Sequence, residues 1–183
     1  MTALCQQLKL TLMRYLMICF LLGFSSTLFA QDAEKKLKEL KIELLKPTPP
    51  IGTYVKAVRV GNLIFLSGHG PSKADGSMMT GKIGKDATLE QGYMAARQTA
   101  ISLLSTLKAE IGDLNKVKRV VKVMGLVNCT EDFADQPKVM NGFSDLMVSL
   151  YKEKGLHART SVGVNALPGN MMVEVEMIVE VME

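Results

Sequence analysis

The sequence predicts an α+β domain, one sheet covered by helices, and three observations carry that expectation. Strand-like segments occur in pairs at both ends of the domain, with two long segments of helical period set between and beside them. The last strand-like segment alternates strictly, Val173, Val175, Met177, Val179 and Val181 against Met172, Glu174, Glu176, Ile178 and Glu180, the pattern of a strand with one face in a core. The resulting order, β-β-α-β-α-β-β, lacks the strict βαβ alternation of a parallel doubly wound fold.

The elements follow in order. Asp32 caps a short helix in which Leu37, Leu40 and Leu44 recur three and four residues apart, ended by Pro47 and the Pro49-Pro50 pair. Residues 31–46 therefore form an amphipathic arm, and 47–183 the domain proper. Val55 to Val60 and Leu63 to Ser67 flank a Gly61-Asn62 turn and predict a hairpin. Residues 69–87, rich in glycine, form a loop. Thr88 with Gln91 makes a capping box, after which Tyr93, Ala96, Ala100, Leu103, Leu104, Leu107 and Ile111 keep helical spacing up to Gly112. Val117 to Asn128 is β-branched and strand-like. Val139 to Tyr151 is a second amphipathic helix, stopped at Gly155. Thr160 to Ala166 and Met172 to Val181 are strands joined around Pro168-Gly169-Asn170. Arg159, Ser161, Gly163 and Asn165 fall on one side of the first of these, and that polar side is expected to share the face of Glu174. Such a face is either solvated or packed against another subunit.

Residues 15–24 are a ten-residue apolar block behind Arg14, followed by Ser25, Ser26 and Thr27, the layout of a secretory signal peptide. The block is too short to span a bilayer, which needs about 20 apolar residues. Residues 1–30 are thus expected to be removed after Ala30, leaving Gln31 first in an exported protein, periplasmic or secreted, with no membrane attachment. Met13 is an alternative start, since a compact basic-then-apolar leader begins there. Cys5 and Cys19 leave with the leader, so Cys129 stands alone and no internal disulfide can form. Its expected role is that of a small buried hydrophobe. Asn128-Cys129-Thr130 matches a glycosylation acceptor.

Charge and composition exclude several functions. Lys9 and Arg14 belong to the leader, which leaves 20 basic against 18 acidic residues, too even a balance for a dedicated nucleic-acid binder. Aromatic residues are 5% of the chain with no Trp, which argues against a base-stacking platform. His69 and His157 are far apart and without partners at ligand spacing, so no metal site is expected. The glycines form neither a phosphate loop nor a dinucleotide fingerprint, and Ser67 lacks the Gly-x-Ser-x-Gly setting of a hydrolase nucleophile.

A distributed pattern remains: Ile51-Gly52-Thr53-Tyr54, Leu66-Ser67-Gly68-His69-Gly70-Pro71, Asn141, His157-Ala158-Arg159-Thr160, Leu167-Pro168 and Val173-Glu174-Val175-Glu176. Across residues 47–181 it resembles the RidA, or YjgF-like, family of imine and enamine deaminases. That resemblance implies a chorismate-mutase-like single domain, a mixed sheet with helices on one face, and a homotrimer with clefts between subunits. It implies hydrolysis of small 2-imino or 2-enamino acids to 2-oxo acids and ammonia, without a cofactor. The alternative is a non-catalytic module on the same fold that binds small carboxylates. Carried over by position, Arg159 is the clamp for a substrate carboxylate and Glu174 the acid that positions water, while Tyr54, Ser67, Gly68, Asn141 and Ser161 line the cleft. Thr53, His69, His157 and Ser161 stand where the family often has Pro, Gln, Pro and Cys, and residues 135–138 resemble a short insertion in the family's pattern, as in a less characterised branch with a His-Ala-Arg motif.

Overall fold

The structure is a computed structural model that describes residues 32–182; the expected leader lies outside the described residues. A short helix α1 (Ala33–Glu39) precedes a hairpin of β1 (Ala57–Val60) and β2 (Leu63–His69). Helix α2 (Leu89–Ile111), strand β3 (Val117–Asn128), helix α3 (Gln136–Tyr151), and strands β4 (Ala158–Val164) and β5 (Val173–Val181) follow. The strands form one sheet in the order β1-β2-β5-β3-β4, antiparallel throughout except for the parallel pair β3–β4. It is the mixed α+β sheet that the sequence predicts.

Both long helices cover one face. The five alternating residues of β5 from Val173 to Val181 are buried there, with Ile64, Leu66, Val123 and Val127 beside them and Leu103, Leu107, Phe143 and Met147 above. The capping box at Thr88 is present, with Gln91 returning its side chain to the Thr88 amide at 2.8 Å. Gly112 ends α2 at φ 77°, a backbone angle that glycine adopts without a Cβ clash. Among the described residues no helix covers the opposite, open face, and Phe65, Met124 and Val162 are exposed on it.

The register corrects one expectation. Arg159 pairs with Val123 and Ser161 with Gly125, and these pair in turn with Met177 and Val175. Glu174 pairs with Leu126, one residue out of phase with that row. Residues opposite one another share a face, so Arg159 and Ser161 lie on the helix side and Glu174 on the open side. Counting across residues 165–172 could not reveal this, because β3 sits between β4 and β5 and sets the register of each independently.

Two helix boundaries also differ. Helix α1 stops at Glu39 rather than near Pro47, because Lys41 takes a left-handed φ of 54° and the Ile42 amide turns back to the Leu37 carbonyl. The arm is nonetheless docked: Ala33 and Leu37 are buried, the Ala33 amide donates to Asn115 Oδ1 at 2.8 Å, and Glu34 pairs with Lys108. Helix α3 begins at Gln136 after the N-cap Asp135, three residues before the expected Val139, with Pro137 in its first turn at a position where no amide is required. Cys129 is buried as expected. Asn128 is only 1% exposed and its amide nitrogen bonds the Gly81 carbonyl at 3.2 Å, so the glycosylation acceptor is closed in the folded chain.

Helices α2 and α3 touch closely enough to forbid a methyl group at Gly142. A Cβ there would lie 2.9 Å from the carbonyl carbon of Tyr93 and closer still to its oxygen. Backbone cannot yield as a side-chain tip can, so Gly142→Ala should destabilise the domain by about 1–3 kcal/mol. A chain of this size then loses roughly 2–4 °C of Tm per kcal/mol, measurable by thermal unfolding. An unchanged Tm would mean that the helices are farther apart.

Candidate functional site

Arg159 leaves the edge strand β4 on the helix face and reaches under the N-terminal half of α3. One guanidinium nitrogen, Nη1, donates to Asn141 Oδ1 at 3.0 Å and to Ser144 Oγ at 2.9 Å, and Nη2 donates to the Pro137 carbonyl at 3.2 Å. Residues 137, 141 and 144 are spaced by four and three, so one helical stripe supplies all three acceptors. All three are neutral. No carboxylate lies within ion-pair range of Arg159 among the described residues, and Asp145, whose charge does act on it, accepts the Tyr93 hydroxyl at 2.9 Å. Partial burial pulls the Arg159 pKa below its usual value, opposed by Asp145. A guanidinium has five N–H groups, and three are engaged here. Two remain, enough for the paired hydrogen bonds of a carboxylate.

His157 fixes this arrangement from behind. Its Nδ1 lies 2.7 Å from the Gly155 carbonyl, which can only accept, so Nδ1 carries the proton. Nε2 is then the acceptor of the Ser144 hydroxyl at 3.0 Å, which turns the Ser144 lone pairs toward Arg159. Burial, and secondarily the Arg159 charge, lower the His157 pKa despite the Gly155 bond, which favours this neutral form. Ser161, two residues along β4, keeps a buried hydroxyl without a partner among the described residues.

A second group gathers on the open face. Between Leu66 and His69 the β2–β5 register slips by one residue, a bulge that brings Gly68 against the Glu174 side chain. A Cβ on Gly68 would lie 2.9 Å from Glu174 Cδ, so glycine is what admits the carboxylate. Burial first, and the neighbouring charge of Glu176 second, raise the Glu174 pKa. Ser67 donates its hydroxyl to the Val55 carbonyl at 2.8 Å, tying the bulge to the segment that carries the half-exposed Tyr54. Beside it, Val58, Phe65, Ser67, Met124, Glu176 and Ile178 border a shallow cavity of about 290 Å³.

Of the seven site residues expected from sequence, Arg159, Asn141 and Ser161 thus gather on the helix side of β4, and Glu174, Gly68 and Ser67 on the other side of the sheet, while Tyr54 lies half-exposed in the segment before β1. One chain does not bring the two groups together. Ser144 and the Pro137 carbonyl were not foreseen, although their spacing about Asn141 was the available signal.

The family model described as Endoribonuclease L-PSP matches residues 45–181. Protein TCP17 of Trypanosoma cruzi is 41% identical over 145 residues, covering 79% of this chain and 91% of its own length. A 2-iminobutanoate/2-iminopropanoate deaminase of Dermatophagoides farinae is 31% identical over 131 residues, covering 71% and 87%. Among solved structures, a protein of unknown function from Agrobacterium tumefaciens is 36% identical with a TM-score of 0.75, over 83% of this chain and 93% of its own. A putative endoribonuclease of Shewanella oneidensis is 27% identical with a TM-score of 0.79, over 82% and 99%. The RidA of an Antarctic Psychrobacter is 26% identical with a TM-score of 0.54, over 74% and 94%. Matched from residue 45 to residue 181 and sharing the fold of these relatives, the chain belongs to the Endoribonuclease L-PSP family, the RidA or YjgF-like proteins that its sequence resembles.

Proposed function

We propose that the protein is an exported homotrimeric deaminase that hydrolyses small 2-imino or 2-enamino acids to 2-oxo acids and ammonia. The observation that carries this is Arg159, a cation held by three neutral acceptors, with two N–H groups left for an anion. A 2-imino acid offers one permanent charge, its carboxylate, and a planar guanidinium matches it with two parallel hydrogen bonds. Water adds to the imine carbon, the C–N bond breaks, and the nitrogen leaves as ammonia with the protons of that water. Burial, and the Glu176 charge after it, raise the Glu174 pKa above the usual carboxylate value, which makes it a better proton acceptor than an exposed carboxylate.

Both groups can serve one substrate only if a second copy supplies one of them. The open face, with Phe65, Met124 and Val162 exposed around Glu174 and its bulge, offers the surface for that copy, and a closed three-fold ring would set Arg159 of one subunit toward Glu174 and Tyr54 of the next. Light scattering should return about three times the subunit mass; a stable monomer would remove the site. The full chain, supplied with imino acids made in place by an amino-acid oxidase, should release 2-oxo acid faster than the spontaneous rate. Intact mass of exported material should begin at Gln31.

The leader favours a second reading, a carboxylate-binding module without turnover, because imines formed inside cells decay before they reach an exported protein. Binding of 2-oxo acids with no acceleration of hydrolysis would select it. Ribonuclease activity is opposed by the two histidines, each of which bonds internally through both ring nitrogens.

A further inference from the structure

A second cavity, of about 330 Å³, lies on the helix side at the opposite edge of the sheet from Arg159. Its walls are the 45–48 segment of the arm, Lys56 and His69 from the hairpin, the 72–78 loop, and Ser102, Ser105 and Thr106 of α2. Three lysines, Lys46, Lys56 and Lys73, line it, and no carboxylate does among the described residues. None of the three forms an ion pair among the described residues. Lys56 is partly buried, its ammonium donating to the Thr48 hydroxyl at 3.1 Å, and burial lowers its pKa. Asp75, on the same 72–78 loop but outside the cavity lining, accepts the amide and hydroxyl of Ser77 at 2.9 and 2.6 Å, with the Lys73 charge a smaller influence on it.

His69 adds no negative charge. Its Nδ1 donates to the Ser67 carbonyl at 2.7 Å, so Nε2 accepts the Thr106 hydroxyl, also at 2.7 Å. Burial lowers its pKa, opposed by the Ser67 bond, with the Lys56 charge a smaller contribution in the same direction. A cavity with one partly buried ammonium, two exposed ones at the rim and, as the nearby counter-charge, the exposed Asp75 beside Lys73 holds a net positive potential that water screens incompletely. Leu45, Pro47, Ala74 and Met78 supply an apolar wall.

We propose that this cavity binds a small phosphate monoester, its phosphate between Lys46, Lys56 and Lys73 and its organic part against Leu45, Pro47 and Met78. The volume falls at the lower end of small-molecule sites, which suits a compact ligand. Three ammonium groups match the double charge of a phosphate better than the single charge of a carboxylate, and lysine binds phosphate as a point charge without a fixed fork. The site is separate from Arg159 and does not depend on the deaminase reading.

Calorimetric titration of the full chain with phenyl phosphate tests it, with inorganic phosphate and benzoate as comparisons. Phenyl phosphate should bind one molecule per chain, tighter than either comparison. Lys56→Gln should weaken it at least tenfold, as should the double variant Lys46→Gln with Lys73→Gln, whose exposed positions leave folding intact; Arg159→Ala should leave it unchanged. The proposal is overturned by the absence of saturable phenyl phosphate binding to the wild-type chain. It is equally overturned if benzoate binds as tightly, if the double variant binds normally, or if Arg159→Ala abolishes binding and so places the ligand at the other site.

Discussion

Arg159→Ala should lose on the order of a hundredfold or more in kcat/KM for 2-imino acid hydrolysis. Two charge-assisted hydrogen bonds to a carboxylate contribute about 1.5–3 kcal/mol each, and both disappear with the guanidinium. The loss should not come from unfolding. Arg159 sits on the edge strand β4, and the Asn141 and Pro137 acceptors that it would leave are at a partly exposed site. Arg159→Lys keeps the charge but not the planar fork, and should recover only part of the activity. Ser144→Ala provides a graded version, since it removes one of two Nη1 acceptors and the tie to His157, leaving the donor groups present but less fixed. Rates from oxidase-generated imines, corrected for spontaneous decay, give the comparison. If Arg159→Ala turns over normally, Arg159 is structural and the deaminase and binding-module readings both lose their support. If wild type and variant add nothing to the spontaneous rate, yet 2-oxo acids bind only to the wild type, the chain is the binding module.

The elements were legible where one local rule decided them. The alternation from Val173 to Val181, the Thr88–Gln91 box and the stop at Gly112 each depend on residues a few positions apart, and each recurs in the structure. The end of α1 was not legible, because Leu40 and Leu44 continue the helical period while Lys41 turns the backbone left-handed to dock Leu37. The start of α3 carried its signal in Pro137, which is favoured in a helix's first turn because its missing amide is not needed there. The site was legible as a set of residues and illegible as an arrangement. Arg159 and Glu174 sit on opposite faces because β3, between their strands, pairs with each in its own register, and that register is a tertiary fact that spacing along the chain does not encode. Ser144 escaped notice because its role exists only once His157 and Arg159 converge on α3.

Glu174→Gln should separate chemistry from binding and from stability. Gln keeps the size of the side chain but can neither take nor return a proton, so turnover should fall by roughly 10²–10⁴-fold, the usual worth of a general acid–base group. Affinity for a 2-oxo acid should stay nearly unchanged, because Arg159 holds the carboxylate. Stability moves the other way. A carboxyl whose folded pKa lies above its unfolded value costs stability at pH values above both, and that cost is relieved as pH falls through the folded value. Removing the charge should therefore leave Tm at neutral pH unchanged or higher, a gain opposite in sign to the loss of activity. The wild-type rate should rise with pH through the raised Glu174 pKa. Glu176→Gln should shift that acid limb to lower pH, since the Glu176 charge is the second cause of the elevation after burial. Gly68→Ala tests the same group sterically: its methyl would displace the Glu174 carboxylate and reproduce the kinetic defect without altering the acid. A Glu174→Gln variant that turns over at the wild-type rate, or one that loses 2-oxo acid binding and turnover together, would show that Glu174 is not the group that handles the proton.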